Sequence, residues 1–198
     1  MSAPGPSPAC SAGILAGGAS TRFGGQDKGW IELRGRPLIE WTLEAVRPQA
    51  QQILVSANRN LERYRALGVT VVSDPGTDAE RFDGPLAGLA RLLGAADQEW
   101  LLCVPCDAVQ LPADLARQFA TAASVSQADI AVLADAQGLH PTFCYVRTAL
   151  AADAQRCFDD GERAPRRWFE RHRVARVEGP TPINLNTPEA LRALELRL

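Results

Sequence analysis

The densest chemistry in the chain lies in one early run, Leu15-Ala16-Gly17-Gly18-Ala19-Ser20-Thr21-Arg22-Phe23-Gly24-Gly25-Gln26-Asp27-Lys28-Gly29, which holds five glycines beside Arg22 and Lys28. Glycine reaches left-handed backbone angles and lets the chain approach a ligand closely, so successive N–H groups can turn inward around an anion. Arg22 offers a planar fork to phosphate oxygens, and Lys28 offers a compact charge. No Gly-Lys pair follows at P-loop spacing, and no Gly-x-Gly-x-x-Gly opens a helix. So many glycines cost conformational entropy unless something rewards their conformation. The run is therefore expected to cradle phosphate rather than form a plain solvated turn.

A second polar feature is Cys103-Val104-Pro105-Cys106-Asp107. Asp107 follows an apolar run, and open α/β sheets place their ligands beyond the carboxyl ends of the strands. A hard oxygen there suits Mg²⁺, which takes one or two carboxylates and fills its other positions with phosphate oxygens and water. An N-cap or turn residue before the next helix suits the same Asp equally well. Cys103 and Cys106 form a lone C-x-x-C. A redox pair normally opens a helix, where the dipole lowers the thiol pKa, whereas Cys103 lies within a strand-like run. Zinc would need further ligands, and His140 has no matching pair. Both cysteines are expected to be packing residues. Arg163, Arg166, Arg167, Arg171, Arg173 and Arg176 make the most basic stretch, for which a solvated face and a phosphate-facing surface are equal explanations.

The elements that must position these groups alternate between strand-length apolar runs and helix-period segments, the mark of a parallel sheet with crossover helices. Strands are expected at Ala12–Leu15, Ile53–Ser56, Val69–Val72 and Trp100–Val104. Helices are expected at Pro37–Val46, Leu61–Leu67 and Pro85–Leu93, so three βα units precede Asp107. Beyond it, Leu111–Ala123, Thr148–Phe158, Arg166–Arg171 and Thr187–Leu196 read as helices, with Thr187 as an N-cap, and Ile130–Ala134 and Thr142–Val146 as strands. The expected architecture is a three-layer α/β/α sandwich around a mostly parallel sheet. Residues 11–198 would form one domain behind a flexible tail, Met1–Cys10.

With 198 residues, one core is the expectation. Lys and Arg number 21 against 23 Asp and Glu, so no global positive field favours a nucleic acid partner. Five cysteines, an odd and irregularly placed set, suit reduced thiols in the cytoplasm better than a disulfide scaffold. Neither a signal peptide nor a membrane span is legible.

The run Leu15 to Gly29 resembles the signature loop of nucleotidyltransferases with a nucleotide-diphospho-sugar transferase fold, whose N-terminal half is Rossmann-type. More narrowly, it resembles the molybdenum cofactor guanylyltransferase family. The likeness extends in order through Gly84-Pro85-Leu86-Ala87-Gly88, Cys103 to Asp107, His140-Pro141-Thr142, Gly161-Glu162-Arg163 and Asn184-Leu185-Asn186-Thr187-Pro188. The resemblance implies transfer of GMP from GTP to molybdopterin with release of pyrophosphate. It assigns Mg²⁺ to Asp107 and gives Arg22, Lys28 and Asp107 the catalytic work.

On the same resemblance, GTP would touch Leu15, Ala16, Gly17, Gly18, Lys28, Ser56, Asp74, Gly84, Gly88 and Asp107. Asp74 can accept from the N1–H and exocyclic amine of guanine, with opening of the Asp-Pro-Gly turn as its alternative role. Ser56 stands where the family more often shows Asn. Molybdopterin would meet Arg163, Asn184 and Asn186. The implied partners are GTP and molybdopterin, with molybdenum-insertion and molybdoenzyme chaperone proteins as further candidates. A related transferase using CTP or activating a sugar or alcohol phosphate, and a nucleotide carrier without turnover, are the competing expectations.

Overall fold

A computed structural model describes residues 9–17, 23–73, 83–179, 185 and 187–197, apart from the Pro188 side chain. The expectations placed on Gly18, Arg22, Asp74, Asn184 and Asn186 lie outside the described residues.

Strand β1 (Ser11–Leu15) is buried along its whole length and pairs in parallel on both sides. A hairpin, β2 (Glu32–Leu33) and β3 (Arg36–Pro37), then leads into helix α1 (Leu38–Val46). There follow β4 (Gln52–Ser56), α2 (Leu61–Arg65), β5 (Thr70–Val72), α3 (Pro85–Ala95) and β6 (Trp100–Pro105). The second half comprises α4 (Leu115–Val125), β7 (Ile130–Asp135), β8 (Gly138–Arg147), α5 (Ala151–Asp159), α6 (Pro165–Phe169), β9 (Val174–Glu178) and α7 (Pro188–Glu195).

Among the described residues the main sheet has seven strands in the order β5-β4-β1-β6-β8-β7-β9, of which β8 runs antiparallel to its neighbours and the others pair in parallel. Each face of the sheet is covered by helices, which makes the three-layer α/β/α sandwich. Ile14, Val55, Leu102 and Val104 on one face meet Leu43 of α1 and Phe119 of α4. Leu54, Leu101 and Val132 on the other meet Leu89 of α3, Cys157 of α5 and Trp168 of α6. Burial on both faces explains why the central strands read as continuous apolar runs rather than alternating ones. A third cluster joins Leu33, Leu38, Val109, Leu185 and Leu194, so α7 closes over the hairpin.

Several expectations need correction. Cys10, assigned on sequence to a flexible tail, is fully buried, and its N–H donates to Gln51 Oε1 at 2.7 Å. Strand β9 has no sequence counterpart, because its alternating Val174-Ala175-Arg176-Val177-Glu178 sits inside the most arginine-rich stretch of the chain. Helix α4 begins at Leu115 instead of Leu111: Pro112 disfavours helical geometry in the residue before it, and Asp114 takes the N-cap position. Strand β8 extends back to Gly138 and takes in His140 and Pro141.

Candidate active site

After β1 the chain moves outward through β4 and β5, then returns to lay β6 against the other side of β1. The strand order therefore reverses between β1 and β6, the place where open α/β sheets form a ligand crevice beyond the carboxyl ends of the strands. Leu15 is paired in register with Pro105, so the glycine-rich loop and the Asp107 turn leave the sheet side by side. Cross-links hold the two exits together: Cys106 N donates to Leu15 O at 3.0 Å, and Thr42 Oγ1 of α1 donates to Cys106 O at 3.0 Å.

Asp107 is only 7% exposed, and its Oδ2 lies 2.5 Å from Lys28 Nζ. The two charged groups singled out on sequence thus meet at the mouth of the crevice. Asp107 lies in the turn that follows β6 and is not the N-cap of the next helix, a position that Asp114 holds.

Lys28 opens a short 3-10 turn, Lys28–Trp30, capped by Asp27. Asp27 is 8% exposed and accepts three hydrogen bonds. Oδ1 takes Gly29 N at 3.2 Å and Tyr64 Oη at 2.7 Å, while Oδ2 takes Asn60 Nδ2 at 3.0 Å. Glycine is required at position 29, because a Cβ there would collide with the Tyr64 hydroxyl. Asp27, Asn60 and Tyr64 were missed on sequence. The available signal was an Asp two residues before a glycine in a turn, and nothing local connected it to Tyr64.

The remaining nucleotide candidates line the β1 side. Ala16 N donates to Ser56 O at 2.9 Å, which sets the loop's departure from the sheet. Gly17 is exposed, with no described atom within 4 Å of where a Cβ would stand. Gly88 of α3 instead presses on the sheet, where a Cβ would come within 2.7 Å of Leu15 Cδ2 and 3.0 Å of Ser56 Oγ. Ser56 is 5% exposed beneath it, so these two candidates pack on one another. At the start of α3, Gly84 adopts φ +83° beside Arg163, whose carbonyl accepts from Leu86 N at 3.2 Å.

The arginines do not act as one surface. Arg163 alone is tied to α3 this way; its guanidinium donates to Phe158 O at 2.8 Å and lies over the Phe158 ring. Arg167 faces Glu162, and Arg173 pairs with Asp129 before β9 begins, at the opposite end of the sheet from Asp107. His140 Nε2 lies 2.8 Å from Asp135 Oδ2, a contact within one hairpin.

The cysteines are packing residues. Cys103 belongs to one apolar face and Cys106 to the other, so their thiols flank the sheet instead of facing each other. Cys103 lies opposite Cys144, whose thiol is pushed well above the ordinary range by its hydrogen bond with Cys103 and by burial. Burial raises the Cys106 thiol as well.

A family model described as a MobA-like NTP transferase domain matches residues 12–177, which span β1 through most of β9 and therefore both sides of the crevice. The chain belongs to this family. As a MobA-like NTP transferase it is a nucleotidyltransferase, and its relatives agree over nearly the whole length. It is 39% identical over 185 residues to a molybdenum cofactor guanylyltransferase of Shewanella sp. (strain MR-4), covering 91% of this chain and 92% of the relative. It is 42% identical over 196 residues to the protein of the same description from Ectopseudomonas mendocina (strain ymp), covering 94% and 92%. The fold is similar to that of the molybdopterin-guanine dinucleotide biosynthesis protein A from Archaeoglobus fulgidus, with a TM-score of 0.75, 19% identity, and coverage of 94% of this chain and 97% of that one. Among the described residues, no helix of this MobA-like chain is long and apolar enough to cross a membrane.

Proposed function

We propose that this nucleotidyltransferase moves GMP from GTP to the terminal phosphate of molybdopterin. The observation that carries the reading is the Lys28–Asp107 contact where β1 and β6 release their loops. An oxygen of the acceptor phosphate attacks the α-phosphorus of GTP, the bond from that phosphorus to the β-phosphate bridging oxygen breaks, and pyrophosphate departs. A phosphate monoester is largely dianionic near neutrality, its second pKa being about 6, so no protein base need remove a proton from it. Catalysis is then mainly the alignment of several anions and the neutralisation of their charge.

Lys28 and Arg22 would grip the triphosphate, and backbone N–H groups of the loop from Gly17 onward would close around it. Asp74 and Gly84 would bound the nucleotide, with the packed pair Ser56 and Gly88 supporting the floor beneath it, while Arg163, Asn184 and Asn186 would meet the pterin. Among the described residues no group of three or more His, Cys, Asp and Glu gathers. A single carboxylate at a phosphate site suits a hard divalent ion that completes its shell with phosphate oxygens and water. Asp107 would hold such an ion, magnesium in our reading, which would supply positive charge to the triphosphate. A soluble, cytoplasmic location fits these substrates.

The test is pyrophosphate formation by the purified chain with Mg²⁺, molybdopterin and each of the four nucleoside triphosphates in turn. GTP alone should support turnover. Turnover with CTP in place of GTP overturns the base assignment, turnover of sugar phosphates overturns the acceptor, and binding without turnover makes the chain a carrier.

A further inference from the structure

We propose that Asp27 and Tyr64 are positioning residues that aim Lys28 at the crevice, an inference that rests on the transferase reading above. The capping of a three-residue turn needs one hydrogen bond, which the Asp27 carboxylate supplies by accepting from Gly29 N. Its other two acceptances, from Tyr64 Oη and Asn60 Nδ2, lead out of the loop to α2 and the residue before it. A carboxylate this buried is costly without compensating donors. The arrangement is thus more expensive than a turn requires, and what it adds is a rigid connection.

The far end of that connection is fixed. Tyr64 is fully buried in the core beneath the sheet, and its ring centroid lies 5.0 Å from that of Trp30, the last residue of the turn. Arg63 covers the other aromatic neighbour, its guanidinium carbon 3.8 Å from the Trp30 ring centre. Arg59 Nη1 donates to Gly25 O at 2.7 Å. The segment from Arg59 to Tyr64 therefore fastens the loop before, at and after Lys28. The missing Cβ of Gly29 lets the backbone beside Lys28 pass close against the Tyr64 hydroxyl.

Burial, the Cys106 thiol and the Asp27 charge, in that order, raise the Tyr64 phenol far above its ordinary range. It keeps its proton at every working pH and always donates to Asp27. Lysine has a long side chain with much rotamer freedom, so a fixed backbone narrows the positions its ammonium can reach beside Asp107. A displacement of about 1 Å in a catalytic group can cost on the order of 100-fold in rate.

The experiment is a double-mutant cycle on kcat and KM for GTP-dependent pyrophosphate release, using Tyr64→Phe, Lys28→Ala and the pair together. Tyr64→Phe keeps the ring against Trp30 and should lower kcat by about tenfold while GTP KM changes by less than about threefold. In the Lys28→Ala background the same change should have no further effect, because the group being aimed is gone. Asp27→Asn, which keeps the shape and the Tyr64 bond but cannot accept from Asn60, should show the same dependence on Lys28. Equal losses from Tyr64→Phe in both backgrounds, or no loss with Lys28 present, overturn the inference. Full activity of Lys28→Ala alone overturns the transferase site itself, and the inference with it.

Discussion

Gly84 and Arg163 share one corner of the crevice: a Cβ on Gly84 would stand 3.1 Å from both Cβ and carbonyl oxygen of Arg163. One comes from the block that precedes α3 and the other from the block that precedes α6, so an element on the proposed nucleotide side is hydrogen-bonded to an element on the proposed acceptor side. Arg163→Gln keeps the backbone carbonyl that caps α3 and removes the guanidinium, with its charge and its contacts to Phe158. It should raise KM for molybdopterin by about tenfold, the size of one lost charge-assisted hydrogen bond, and leave KM for GTP within about twofold. Steady-state kinetics with each substrate varied in turn checks this; equal rises in both would place Arg163 on the triphosphate.

Asp107→Ala should lower kcat for pyrophosphate release by on the order of 100- to 1,000-fold, and Lys28→Ala by a similar factor, the usual scale for removing one preorganised charge-stabilising group. Both variants should retain the native circular dichroism spectrum, since each side chain lies at the crevice mouth and neither anchors a strand. Removing divalent ions with a chelator should abolish activity in the wild type and leave Asp107→Ala at its residual level.

Gly88→Ala tests how closely α3 must approach the sheet. The added methyl would meet Leu15 Cδ2 at 2.7 Å and Ser56 Oγ at 3.0 Å, both at the ends of the strands that floor the crevice. Overpacking of this kind costs about 1–3 kcal/mol, and in a chain of this size each ~1 kcal/mol lowers Tm by about 2–4 °C. Thermal denaturation should show a loss in that range, together with a raised KM for GTP.

Asp153 predicts an acid limb of stability. Its carboxyl is held below the usual aspartate range chiefly by the hydrogen bond from Trp168 Nε1 at 2.8 Å, with further help from Arg156 and His172 and some opposition from burial. The folded protein therefore resists protonating it more than the unfolded chain does. The stabilisation is complete above the unfolded value, roughly 3.9, and disappears as pH falls through the lower folded value. Melting curves from pH 6 down to pH 2.5 should show Asp153→Asn less stable than wild type at the upper end, with the two converging at the lower.

Much of the first half was legible because its signals are local. Ile53–Ser56 and Trp100–Val104 are apolar runs of strand length, and their boundaries moved by only one residue in the folded chain. Thr187 caps α7 as its type and position implied, accepting from Ala190 N at 3.2 Å. The second half was less legible because β8 and β9 are specified by partners. Strand β9 owes its existence to a parallel pairing with β7, and its own alternation of Val with Arg and Glu is too weak to distinguish it from a charged helix face.

Composition and hydrophobic period are enough to bring glycines, a lysine and an aspartate to the carboxyl ends of parallel strands, since they dictate those elements before any long-range contact forms. Long-range packing sets the rest: β1 and β6 lie side by side, Cys103 and Cys106 fall on opposite faces, and Tyr64 stands under the turn carrying Lys28. Those outcomes depend on strand order and on packing between segments distant in the chain. Burial of both sheet faces selects them, and no residue's immediate neighbours encode them.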